Sequence, residues 1–253
     1  MKRLLLCLTA ACCLHCVPQD TETKNHQGKP STATTVKPRQ ETPKAVVQSR
    51  ANEANRDPAL ECPYHDDFNR KLVGNEWRAT SAAWRMEEGR LCVERARNHP
   101  AWLKRRLPTN ARIEFEATSY SSAGDIKSEL WGNGFGAASG TSYNDASSYL
   151  TIFGGWNNQF HVLARLDEHA KNRPEVRLDP ASTELRTAKV RQGETYRFKI
   201  ERSDGKTVNW WVNEILILSY TDPQPLTGSD HDHFGFNDWD AKLCFDNLTI
   251  TPL

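Results

Sequence analysis

The stretch Tyr196-Arg197-Phe198-Lys199-Ile200-Glu201, followed by Ser203-Asp204-Gly205-Lys206 and then by Val208, Trp210 and Val212, decides the fold class. Large apolar side chains recur at every second position on both arms, as they do on a strand with one buried face and one wet face. The Asp204-Gly205 pair supplies the backbone freedom for a tight reversal, so the two arms read as a β-hairpin. A second reversal at Asn213-Glu214 leads into Ile215-Leu216-Ile217-Leu218-Ser219-Tyr220, whose uninterrupted apolar run predicts a strand covered on both faces.

The same pattern extends in both directions along the chain. Ile113, Phe115 and Ala117 alternate with Arg112, Glu114, Glu116 and Thr118. Further strands are predicted at residues 84–86, 91–95, 102–107, 126–131, 149–153, 160–166, 233–239 and 243–251, punctuated by Gly, Asn, Asp and Pro. No segment keeps a helical period over three turns. Many short strands without intervening helices predict an all-β fold, a two-sheet antiparallel β-sandwich.

Composition limits the remaining possibilities. The chain has 253 residues with 33 Lys and Arg against 32 Asp and Glu, a balance that gives no support to nucleic acid as a partner. Its 9 Phe, 8 Trp and 6 Tyr all lie after residue 58, so the core-forming region is 59–253. A domain of that size buries roughly 70% of the surface its unfolded chain exposes, and needs no metal or other cofactor to fold.

The leader reads differently. Met1-Lys2-Arg3 and the short apolar run Leu4-Leu5-Leu6-Cys7-Leu8 form an export signal, too short to span a bilayer. The run ends at Thr9-Ala10-Ala11-Cys12, which resembles a bacterial lipobox, with Thr9 where Leu is usual. That resemblance implies acylation of Cys12, a signal over 1–16, a cell-envelope address and membrane contact through a lipid anchor only. Residues 17–58, with Pro18, Pro30, Pro38, Pro43 and Pro58 among polar side chains, cannot offset their ordering entropy by burial and are expected to form a disordered tether.

Tyr64-His65-Asp66-Asp67-Phe68, Trp77, Trp84-Arg85-Met86-Glu87-Glu88-Gly89-Arg90-Leu91 and the closing Leu243-Cys244-Phe245-Asp246-Asn247-Leu248-Thr249-Ile250 together resemble the jelly-roll domains of the concanavalin A-like lectin/glucanase superfamily. The resemblance spans 62–253 and implies that first and last strands are neighbours. It therefore suggests a Cys62–Cys244 disulfide, with three buried thiols as the alternative reading of Cys62, Cys92 and Cys244. It also makes Asp66, Asp67 and Asp246 candidates for a structural calcium.

Laminarinase-like members of that superfamily carry Glu, Asp and Glu at alternate positions of one strand. Here Asp125-Ile126-Lys127-Ser128-Glu129 is the nearest match, with a cation at the middle position. Lys127 should depress the pKa of Asp125 and Glu129 and so remove the protonated acid that glycoside hydrolysis requires. A non-catalytic carbohydrate-binding, lectin-like domain is thus the first expectation, with a polysaccharide or glycoconjugate as partner. A glycoside hydrolase or lyase using Glu129 with Asp125 or Asp238 is the second. A protein-binding scaffold or adhesion lipoprotein is the third.

Sugars offer hydroxyl pairs and an apolar ring face, so their sites combine polar hydrogen-bonders with flat aromatics. On that chemistry the expected ligand-binding residues are Asp125, Lys127, Glu129, Trp156, Asn157, Arg165, Asn237, Asp238 and Trp239. Trp156 and its Asn neighbours sit on a glycine-rich turn suited to a rim. The polar insertion that begins at Gly132-Asn133-Gly134-Phe135-Gly136 and continues through residues 137–146 reads as a loop able to cover the binding face. His231 and His233 share a strand face and read as hydrogen-bonding histidines before metal ligands.

Overall fold

The computed structural model describes residues 43–253, and the expectations for the export signal, Cys12 and the first part of the tether lie outside those residues. Within 43–253 the architecture is two antiparallel sheets packed face to face, with strands numbered here along the chain. The first sheet runs, in spatial order, β13 (Ile215–Thr221), β12 (Thr207–Val212), β11 (Thr195–Arg202), β6 (Ala111–Ser119), β15 (Leu243–Pro252), β4 (Arg90–Val93) and β3 (Arg85–Glu87). β1 (Tyr64–Asp66) pairs with the far part of β15. The second runs β10 (Glu175–Arg177), β9 (Phe160–Arg165), β8 (Tyr149–Gly154), β7 (Ile126–Gly132), β14 (His233–Asn237), β5 (Ala101–Leu103) and β2 (Trp77–Ala79).

The alternation read from the sequence is what joins the sheets. Phe115 stacks on Phe198 at 4.7 Å and Phe236 on Phe245 at 4.1 Å, so aromatic rings from both sheets interleave in one continuous core with Ile113, Ile126, Leu130 and Leu163. Each such side chain, fully buried, stabilises the fold by roughly 1.5–3 kcal/mol. The 203–206 hairpin forms as expected, with Asp204 accepting hydrogen bonds from the backbone N–H groups of Lys206 and Thr207.

Three expectations are corrected. The Ile215–Leu218 run is not covered on both faces: β13 is an edge strand, a bulge shifts its register at Trp210/Trp211, and Ile215 and Leu216 are 47% and 44% exposed. The disulfide joins Cys92 to Cys244, because β4 pairs with β15 in the register that places these two directly opposite, with their Cα atoms 4.1 Å apart. β1 does lie beside β15, but it pairs at residues 248–250, beyond Cys244, and Cys62 is left free and exposed.

The last part of the segment expected to be a disordered tether is ordered. Pro43–Ala54 forms helix α1, opened by a proline suited to the first helical turn and carried by good helix formers. It carries no apolar stripe for a periodicity reading to find. The segment that follows is tied down where Asp57, buried, pairs with Arg78 at 3.0 Å and its carbonyl accepts from Arg106 Nε at 2.8 Å.

Of the carboxylates proposed for calcium, Asp66 and Asp67 are already engaged by neighbouring groups. Both oxygens of Asp66 are taken, by the Arg70 guanidinium and by the Trp77 Nε1 donor at 2.9 Å, and Asp67 is occupied by Asn69. Among the described residues the only close cluster of three ligand-type side chains is Glu87 with Cys92 and Cys244, whose sulfurs are bonded to each other.

Candidate functional site

The outer face of the second sheet carries the polar chemistry. On β7, Ile126 and Leu130 point into the core, so Lys127 and Glu129 project outward; Asp125 immediately precedes the strand in a left-handed conformation (φ 65°). The shared face expected from the sequence is therefore present, yet the two outward residues of the strand meet different fates.

Glu129 is sealed. Its Oε1 accepts from Tyr143 Oη at 2.7 Å and Asn237 Nδ2 at 2.8 Å, and its Oε2 from Ser148 Oγ at 2.7 Å. Tyr143 belongs to the insertion between β7 and β8, which lays Ala138, Tyr143 and Ala146 over Leu150, Ile152, Val162 and Ala164 as a second apolar cluster. The insertion thus covers the outer face of the sheet over β7 to β9, as the sequence suggested. Gly235 makes room beside Glu129: a Cβ there would meet the Trp102 ring at 2.9 Å, and Trp102 Nε1 in turn donates to the insertion at Gly136 O, at 2.8 Å.

Two residues toward the start of the strand, Lys127 forms the floor of a cavity of about 370 Å³. Its Nζ donates to Glu168 Oε2 at 2.8 Å and Asn98 Oδ1 at 3.0 Å. Asp125, Trp156, Asn157 and Trp239 join it there, as the sequence reading proposed. Trp156 sits on the helical turn Gly155–Asn158, where Trp156 and Asn157 take left-handed dihedrals. Such a backbone costs of order 1–3 kcal/mol per residue and persists only when its surroundings impose it. Here buried Asn158 holds the turn, donating to Ser122 O and Val190 O and accepting from the Val190 N–H. The Arg173 guanidinium lies 4.1 Å over Trp156, and that of Arg97 4.6 Å over Trp239.

Four other expected ligands do not reach the cavity. Asn237 is fully buried on Glu129. Asp238, also fully buried, accepts the Ala96 N–H at 2.8 Å and so anchors the 95–98 loop, in which Arg95, Arg97 and Asn98 have positive φ. Glu129 lies under Tyr143, and Arg165 is drawn away to Asp222 at 2.7 Å. His231 and His233 do not form a metal pair: His231 binds Ser147 O, while His233 lies between Asp232 and Asp57. Glu168, His169, Asp240 and the insertion residues Thr141 and Ser142 also line the cavity. Glu168 and His169 follow β9 in a polar run; only the fold shows that this run meets Lys127.

The electrostatics also differ from expectation. Burial raises the Asp125 carboxyl to about 6 even though Lys127 pulls it down. Burial likewise raises Glu129 to about 7, against the lowering effect of Tyr143, Ser148 and Lys127. Asp238 is raised to about 7, again chiefly by burial. Removing water from a carboxylate here outweighs one nearby ammonium. Lys127 itself is disfavoured as a cation by burial, but Asp125 and Glu168 together raise its pKa above the usual lysine value.

No family model and no curated protein matches the chain. Among solved structures it is similar to the carbohydrate-binding module CBM66 from Bacillus subtilis (14% identity, TM-score 0.50, 71% of this chain and 99% of that one). It is also similar to a prokaryotic β-1,3-1,4-glucanase (lichenase) derived from a mouse hindgut metagenome (7%, 0.52, 76% and 100%). A third is the laminarinase catalytic domain from Thermotoga maritima (12%, 0.50, 77% and 99%). Likeness at these identities speaks to architecture alone, and it agrees with the two sheets described above: the chain is an all-β, two-sheet antiparallel sandwich.

Proposed function

We propose that the domain is a non-catalytic carbohydrate-binding module whose ligand occupies the Lys127 cavity. The observation that carries this reading is the cavity's make-up: two partly exposed indoles, Trp156 and Trp239, beside an acceptor, Asp125, and a donor, Lys127. Flat aromatics take the apolar face of a sugar ring, and an adjacent acceptor and donor take a pair of its hydroxyls. The solved neighbours, among them a carbohydrate-binding module and two glucanase-type proteins, make the reading natural for this architecture.

The non-catalytic reading is supported by where two of the three raised carboxyls lie. Glu129 and Asp238, the two raised to about 7, are fully buried, so neither can reach a glycosidic oxygen. One observation favours the enzyme reading instead: Asp125, raised to about 6, does face the cavity, with Glu168 across Lys127. A glycan-array screen with a parallel reducing-sugar assay on every hit separates the two. Binding without product supports the module. New reducing ends, lost in Asp125→Asn, would establish a hydrolase.

The protein-scaffold reading has less behind it. The large apolar side chains exposed among the described residues are Val47, Leu72, Ile215, Leu216 and Leu253, of which only two are adjacent. A cell-envelope location with Cys12 acylated remains part of the proposal, supported by the leader residues and by the Cys92–Cys244 disulfide, a bond that persists in oxidising compartments. Partition of the protein into a detergent phase, abolished by Cys12→Ser, is the expected result.

A further inference from the structure

The outer face of the second sheet is not an open groove. The segment between β7 and β8 crosses it from one side to the other. On the β5 side Trp102 Nε1 donates to Gly136 O, and the Ala138 N–H donates to Asn98 O at 2.9 Å. Over β7, Tyr143 covers Glu129, and beyond β9 the Glu168 N–H donates to Tyr143 O at 3.0 Å. The crossing segment is therefore held at both ends and in the middle.

The cavity abuts this strap. Thr141 and Ser142 of the strap, Ser121 and Ala123 of the turn before β7, and the two tryptophan-bearing segments line it. A polymer passing through a binding site needs an entrance and an exit along its own axis. Here the strap bars the sheet face on its side of the cavity, and about 370 Å³ is near the small end of ligand cavities, room for about one or two sugar rings.

Charge narrows the choice further. Asp125, Glu168 and Asp240 face the cavity against the single ammonium of Lys127, which Glu168 already holds. The flanking guanidiniums are occupied too, Arg97 by Asp240 at 2.7 Å and Arg173 by Glu175 at 3.0 Å. A carboxylated sugar would bring a further negative charge beside Asp125 with no unpaired cation to meet it.

We infer that the cavity binds the terminal unit of a glycan chain, uncharged or amine-bearing, rather than an internal stretch or an acidic sugar. This rests on the glycan-binding reading above. The test is calorimetric titration of the full chain with glucan, mannan, galactan, fructan and chitin oligosaccharides of one to six units, and with oligouronates of the same lengths. For whichever series binds, Kd per mole of chain should level off at two units and stay within about threefold out to six, with uronates at least about tenfold weaker. Partial hydrolysis of the corresponding polysaccharide should raise binding sites per gram in proportion to chain ends. Affinity that keeps climbing with length, several protein molecules on each uncut chain, or uronates binding equally well would overturn the inference and leave the glycan reading standing. Binding by none of the sugars would overturn the glycan reading, and this inference with it.

Discussion

Lys127 and Glu129 are two residues apart on the same face of the same strand, and they have opposite surroundings. Glu129 lies under Tyr143 with three neutral donors and no exposed surface. Lys127 touches a cavity, with one carboxylate bound to it and another nearby. The strand fixes which way each side chain points; a loop of sixteen residues, 133–148, decides which of them a ligand can meet. A motif written along a strand therefore identifies a face and says nothing of access to it.

The sharpest way to break this contrast is to remove Glu129. Glu129→Ala leaves a cavity and strands three buried donors, so it should cost about 3–5 kcal/mol in urea unfolding. A loss under about 1 kcal/mol would mean that the strap is not sealed there. Lys127→Met comes next. It leaves the Glu168 carboxylate buried without its cation, a loss of about 3 kcal/mol. Lys127→Met with Glu168→Gln should recover most of that stability in a double-mutant cycle while glycan retention stays absent, which separates the lysine's structural part from its part in the site.

Trp156→Ala and Trp239→Ala test the open half alone. Both side chains are only partly buried, so stability should change by less than about 1.5 kcal/mol while retention on an immobilised glycan falls at least about tenfold. Retention unchanged in both would move the ligand elsewhere.

The smallest expected effect is Glu129→Gln. An amide accepts from Tyr143 and Asn237 and can donate to Ser148, which imitates the protonated acid. Because Glu129 titrates near 7 when folded and near 4.5 otherwise, the folded state holds a proton that the unfolded chain has lost across that window. Stability falls as pH rises through it. Asp125 and Asp238, raised to about 6 and 7, act with the same sign. Asp66 and Asp222, whose pKa values are lowered through their arginine and other hydrogen-bond partners, act oppositely and lose their contribution as pH falls through their folded pKa. Tm should therefore drop between pH 5 and 8, and Glu129→Gln should make that drop shallower. An unaltered slope in thermal melts would remove Glu129 as its cause.

Much of this was legible in the chain. The period-two alternation at 113–117 and 196–212 places side chains correctly because a strand's geometry acts residue by residue and needs no knowledge of partners. The same reasoning failed at Ile215–Leu218, since whether an apolar strand is central or at an edge depends on what pairs with it. It failed at Cys244 for a related reason: neighbouring strands were inferred correctly, but a disulfide requires a specific register, and Cys92 rather than Cys62 occupies it. The lowering of the Asp125 and Glu129 pKa values predicted from Lys127 was reversed because sequence proximity reveals a charge but not a burial.

Taken by itself, the sequence determined most of the strands, though not β2 or β10, the face on which the polar residues lie, and five members of the cavity or its rim: Asp125, Lys127, Trp156, Asn157 and Trp239. Only the tertiary structure decided that Glu129, Asn237 and Asp238 are interior, that Glu168 closes on Lys127, and that the insertion turns a sheet face into a walled cavity. Local patterns are set by backbone geometry and side-chain polarity within a few residues. Burial, pairing and access arise from contacts between segments tens of residues apart, and those distances have no trace in local order.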